Sequence, residues 1–191
     1  VTANTGVHLT ENITMGYAPH KSGQEIYALG PQAYGSIGSC SWAIGVASRA
    51  LHEIAEIAKA GRTRMGSLPL REQPEFQRNF GFHKTAIEAS RMQLKTIYND
   101  AVALFKSGAS PEACGDAVCQ TKAHANYIVK HVAKSAVVFA WEASGSAGMR
   151  NPSRLQRCFR DIYIGAGHQV FDDRAYCEFA KPSVGVDRLP F

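Results

Sequence analysis

The chain has 191 residues, 45% of them hydrophobic, which is enough for one domain with a substantial core. Its 21 Lys and Arg against 16 Asp and Glu leave a formal charge of +5, scattered without a long run, which argues against a nucleic-acid partner. No stretch approaches the ~20 apolar residues that cross a bilayer and no signal peptide opens the chain, so no membrane partner is expected.

Residues 1 to about 30 are rich in Thr, Asn, Gly and Pro, and Val7, Leu9, Ile13 and Met15 partly alternate with polar neighbours. This reads as an extended segment of a sheet whose other strands lie outside the chain. A first long helix is predicted from Ser36 to Ala60, where Ile37, Cys40, Ile44, Ala47, Leu51, Ile54 and Ala58 recur at helical spacing before Gly61. Pro74 opens a second helix to Lys106, with Phe76, Phe80, His83 and Ile87 among its repeating bulky positions. Ser110, Pro111 and Glu112 supply a cap, a first-position proline and an acid at the positive end of a third helix, predicted to run unbroken to Ser144.

The richest stretch is Asn151 to Asp173. Asn151 can cap a helix whose first position is Pro152, with Leu155, Phe159 and Ile162 as its apolar stripe. Gly165 and Gly167 then permit close approach of backbone or ligand, and a helix continuing through them would set Asp161 and His168 on one face. Asp161 is expected to orient Arg157 or Arg160. After Tyr176 the tail is expected to lie extended. Three long helices and a shorter one, with no second core visible, predict an all-α, antiparallel four-helix bundle.

Several motifs fail. His124 and His131 lack the carboxylate offset of di-iron bundles. Gly165-Ala166-Gly167 begins a dinucleotide fingerprint, but Val170 stands where its last glycine belongs. Ser144 to Gly148 is no nucleophile elbow, because Ser144 replaces the first glycine, and a helix cap and turn explains it. Cys114 and Cys119 are wrongly spaced for a zinc knuckle. With Cys40, Cys158 and Cys177 they make an odd number on mostly helical segments, so reduced thiols in a cytoplasmic protein are expected. Phe139 and Trp141 are expected in the core, and Trp42 is a candidate pocket wall.

Four local patterns together resemble the C-terminal helical domain of the acyl-CoA dehydrogenase superfamily. Arg62-Thr63-Arg64-Met65-Gly66-Ser67-Leu68 is similar to its R-x-x-F-G-x-x-L, with Met for Phe. Gly145-Ser146-Ala147, then Pro152, Leu155-Gln156-Arg157 and Arg160-Asp161, resemble its glycine turn and arginine-aspartate helix. Thr5-Gly6 and Pro19-His20 look like the end of its central β domain, and Phe171 to Gly185 like the tail of its flavin-dependent monooxygenase branch. The resemblance implies that residues 1–30 end a β domain, that 31–191 form the C-terminal domain, and that the family's other domains are absent here. It implies flavin binding by Arg62, Gly145, Ser146 and Arg160, the guanidinium of Arg62 forking onto flavin phosphates across a subunit interface.

In acyl-CoA dehydrogenases a glutamate eight residues after that aspartate removes the substrate's α proton; here Gln169 holds the position, and an amide is no base. His168 sits one residue earlier, as in two-component aromatic hydroxylases. The resemblance therefore implies the oxygenase component of such a system: FAD or FMN, reduced by a separate flavin reductase, reacts with O2 to a C4a-hydroperoxide and hydroxylates an aromatic substrate, with His168 as the catalytic imidazole. It also implies a homodimer or homotetramer, and a 191-residue chain that by itself binds flavin weakly without turnover. Two alternatives stay open: a flavin dehydrogenase or oxidase with a different base, and a helical module serving oligomerisation alone.

Overall fold

The computed structural model describes residues 30–61, 63, 66–150 and 152–187. The strand-like N-terminal segment, Arg62, Arg64, Met65 and the Asn151 cap lie outside them. All secondary structure among the described residues is helical, as the periodicity predicts. The four-helix arrangement itself remains an expectation.

Helix α1, Gly30–Lys59, begins well before Ser36. Its start is rich in glycine, yet Ala33 and Ser36 are fully buried there, so packing sustains a helix that propensity disfavours. Gly61, at φ +76°, closes it by donating its N–H to the Ala58 carbonyl at 3.1 Å. Helix α2, Pro74–Lys106, has the predicted bounds. Helix α3 is Pro111–Tyr127, and the predicted Ser110 cap forms, its Oγ accepting the Ala113 N–H at 3.3 Å.

The third rod is not one regular helix. A π segment, Ile128–Ala133, separates α3 from α4, Lys134–Ser144. A π turn adds one residue to the hydrogen-bonded ring, so the buried face shifts; Ile128, Val129 and Ala133 are all fully buried there. Gly145 (φ +55°) ends α4 and leads into the single turn α5, Ser146–Met149.

Helix α6 is Arg154–Ala166, with Ser153 rather than Asn151 as its boundary. Ser153 first donates its N–H to the Arg150 carbonyl at 2.7 Å, and that turn holds Pro152 outside the helix. The buried stripe is Leu155, Cys158, Ile162 and Ala166, with Phe159 only half-buried. The helix stops at Ala166, so the predicted continuation to His168 does not form. The tail, predicted extended, is instead helical: α7, Arg174–Ala180, and a 3-10 turn, Lys181–Val184. Local ion pairs hold it, with Asp172 bonding Arg174 at 2.6 Å and Lys181 bonding Glu178 at 2.7 Å.

The chain divides into two compact units, Val1–Gly38 with Leu94–Asn126 and Asp172–Phe191 in one, Ser39–Gln93 with Tyr127–Phe171 in the other. The first has a small core of Ala33, Ala101 and Val118, flanked by Ile37, Tyr98 and Phe105. Its Asn126 is fully buried and ties α3 to the tail through Nδ2, which donates to the Asp172 carbonyl at 3.2 Å and to Asp173 Oδ1 at 3.3 Å. In the second, Ile54, Ile128, Val129, Val137, Leu155 and Ile162 are the large fully buried aliphatic side chains, and α4 packs along α6. Among the described residues no helix is long and apolar enough to cross a membrane.

Candidate functional site

Both clefts of interest lie in the second unit. The first, about 250 Å³, opens where α2 faces α4 and the loop after α1. Its wall is aromatic because the bulky positions of two helices meet there: Phe76 stacks on Phe139 at 5.8 Å and His83 stacks on the same ring at 4.9 Å. Burial pushes His83 below its ordinary pKa, which favours a neutral ring in the stack. Thr63, Gln73 and Asn79 add polar groups, while Glu75 and Glu142 place two carboxylates in the lining.

Sequence neighbours of two of the expected nucleotide-binding residues line this cleft. Thr63, which follows Arg62 in sequence, lines it, and so does Ala143, two positions before Gly145. Arg62 lies outside the described residues. Gly145 is also the helix cap that the simpler reading gave, its N–H donated to the Glu142 carbonyl at 3.1 Å, so that amide is already used. Ser146 is exposed, and Arg160 is exposed without an ion-pair partner among the described residues, in the lining of neither cleft.

The second cleft, about 480 Å³, runs between α1 and α6. Trp42, the candidate pocket wall, and Val46 form an apolar side with Cys158. Burial, then the carboxylates of Asp161 and Glu53, push the Cys158 thiol up, so it is a neutral wall. Arg49, Arg154 and Arg157 line the same space. Asp161 pairs with Arg157 at 3.7 Å, the structural role expected for it. This cleft was not legible in the sequence, because Arg49 and Arg154 are far apart along the chain and meet only through Glu53, at 2.8 and 3.5 Å.

His168 is exposed, just past the end of α6. Its N–H donates to the Gly165 carbonyl at 3.1 Å, and its Nδ1 accepts the Val170 N–H at 3.1 Å. With Nδ1 an acceptor, the neutral imidazole carries its proton on Nε2 and presents a donor to whatever faces it. His124 and His131 have aromatic neighbours instead, Phe179 at 5.7 Å and Tyr127 at 5.6 Å.

The family described as "Acyl-CoA dehydrogenase, C-terminal domain" matches residues 37–173. Among solved structures, the fold is similar to that of the 3-HSA hydroxylase from Rhodococcus sp. RHA1, with TM-score 0.73 and 20% identity over 87% of this chain and 41% of that one. The HsaA monooxygenase from M. tuberculosis gives 0.73 and 20% over 86% and 42%. XiaF from Streptomyces sp., in complex with FADH2 and glycerol, gives 0.77 and 16% over 92% and 44%. The chain thus spans under half the length of these structures. Comparison with curated proteins finds no match.

Proposed function

The chain belongs to the acyl-CoA dehydrogenase C-terminal domain family, and from that premise we propose that it is the C-terminal part of a reduced-flavin-dependent monooxygenase acting on an aromatic ring. In this reading residues 1–30 close a central β domain and 31–191 are the helical domain. The protein is an oligomer served by a separate flavin reductase, with O2 as co-substrate.

The observation that carries the reading is the first cleft, whose lining includes Thr63 and Ala143, near in sequence to the expected Arg62 and Gly145-Ser146. The stacked Phe76 and Phe139 suit a flat heterocycle, whereas Glu75 and Glu142 would repel a phosphate. The base of a dinucleotide therefore fits the cleft, with its phosphates outside the two carboxylates, where the resemblance gives Arg62 the role of holding them. This favours FAD over FMN, which has no adenine. When bound, the flavin supplies the oxygen chemistry. The chain's own part at the reacting end falls to His168, whose Nε2–H can donate a hydrogen bond to a negatively charged oxygen of cofactor or substrate. For the ring to accept a phenolic proton at Nε2 it must first give up the Val170 contact, so donor is its resting role.

Equilibrium titration of the whole protein with FAD and FMN, in oxidised and reduced forms, tests the cofactor. FAD is expected to bind about tenfold or more tightly than FMN, a gap that Phe76→Ala with Phe139→Ala closes. Equal affinities that ignore both substitutions would remove the nucleotide reading. For the reaction, His168→Ala is expected to abolish hydroxylation in the presence of reductase and O2 while leaving assembly intact. Unchanged turnover would leave the oligomerisation module as the better account, and hydride transfer to FAD without O2 or reductase would favour a dehydrogenase.

A further inference from the structure

We propose that the cleft between α1 and α6 is a binding site for a small aromatic monocarboxylate. The inference goes beyond the flavin reading and does not depend on it.

Charge and shape both point to that ligand. Arg49, Arg154 and Arg157 face the carboxylates of Glu53 and Asp161, three cations against two anions, so the site has one positive charge in excess. A single excess charge suits a monoanion better than a dianionic phosphate. The three guanidinium groups are not equally committed. Arg49 Nε is held on Glu53 at 2.8 Å, whereas Arg154 reaches the same oxygen only at 3.5 Å and Arg157 reaches Asp161 only at 3.7 Å. Bonds that long leave most of the donors of Arg154 and Arg157 uncommitted. These two side chains are 66% and 79% exposed and stand one helical turn apart on α6, which lets them close on one carboxylate from two sides.

The rest of the ligand is set by the apolar side. Trp42 is 41% exposed and offers indole surface, Val46 and the neutral Cys158 continue it, and Gly45 leaves room beside them, since a Cβ there would meet nothing within 4 Å. The volume of about 480 Å³ lies in the range of small-molecule pockets. A flat hydrocarbon body can stack on the indole while its carboxylate meets the arginines.

The chain has two tryptophans, and Trp141 stacks on Phe159 away from this lining, so the two indole N–H signals of a proton-nitrogen NMR spectrum separate the cleft from its surroundings. Titration of the full chain with 2-naphthoate is expected to shift the Trp42 signal saturably and leave Trp141 in place. The neutral 2-naphthalenemethanol is expected to bind about tenfold or more weakly, because it lacks the charge-assisted bonds. Arg154→Gln with Arg157→Gln should cause a similar loss for naphthoate only. Gly45→Leu, which keeps every charge but fills the space, should weaken both ligands, and it carries the test if the double variant fails to fold. Equal affinity for acid and alcohol, binding indifferent to Gly45→Leu, or Trp141 responding as strongly as Trp42 would each overturn the proposal. So would a silent Trp42 in a chain that self-associates over this face.

Discussion

Trp42 lies with the six-membered ring of its indole directly against Gly165, where any Cβ would overlap it. A residue of α1 is thereby keyed into a notch in the last turn of α6, three positions before His168. The notch exists only because that helix carries a residue without a side chain there.

Gly165→Ala forces the indole out of the notch. Alanine favours a helix interior by about 0.5–1 kcal/mol over glycine, while overpacking costs about 1–3 kcal/mol, so a net loss of about 1 kcal/mol is expected. In a Trp42→Ala background the collision is gone and the same substitution should stabilise the chain. A double-mutant cycle by urea unfolding reads this change of sign, and a Gly165→Ala effect of equal size in both backgrounds would show that the two residues are not coupled.

Along α6 the buried and exposed positions should behave very differently. Leu155 and Ile162 are essentially inaccessible, and truncating either to Ala is expected to destabilise by about 2–5 kcal/mol. Arg160→Gln, on an exposed position of the same helix, is expected to stay within about 0.5 kcal/mol. Denaturant midpoints of the three variants check the contrast.

Stability should rise with pH through the histidine range. Burial lowers the pKa of His83 and of His124 from the ordinary value of 6.5, so the unfolded chain binds those protons more readily than the folded one. The contribution is fully present above 6.5 and is lost as pH falls from there through the depressed folded-state values. His83→Phe retains a ring beside Phe139 and removes one titrating group. The drop in Tm between pH 7.5 and 5.5 should be smaller in that variant, and an unchanged drop would count against His83 as a source.

The cysteines should divide into four slow thiols and one fast. Cys40, Cys114, Cys119 and Cys158 are buried and burial raises each of their pKa values, that of Cys40 up to about 12, while Cys177 is exposed. A thiol reagent at neutral pH is therefore expected to label one equivalent rapidly in the native chain and the other four only on unfolding. Mass mapping to any cysteine but Cys177 in the fast phase would contradict this.

The all-α class, the bounds of α2, the Ser110 cap and the Gly61 stop were legible in the sequence because each depends on neighbours within one or two turns: apolar spacing, a hydroxyl before a proline, a residue that tolerates positive φ. The family was legible for a related reason, since Arg160-Asp161 and Gly145-Ser146 belong to short patterns with fixed spacing. What tertiary packing decided lies beyond that range. Burial of Ala33 and Ser36 carried α1 through a glycine-rich start, a π turn at Ile128–Ala133 re-aimed α4, and α6 stopped at Ala166, placing His168 in a turn with Nδ1 bound to Val170. The meeting of Arg49 with Arg154 over Glu53, and of Trp42 with Gly165, joins residues more than a hundred positions apart in a way no local spacing encodes, because it depends on how one helix lies against another.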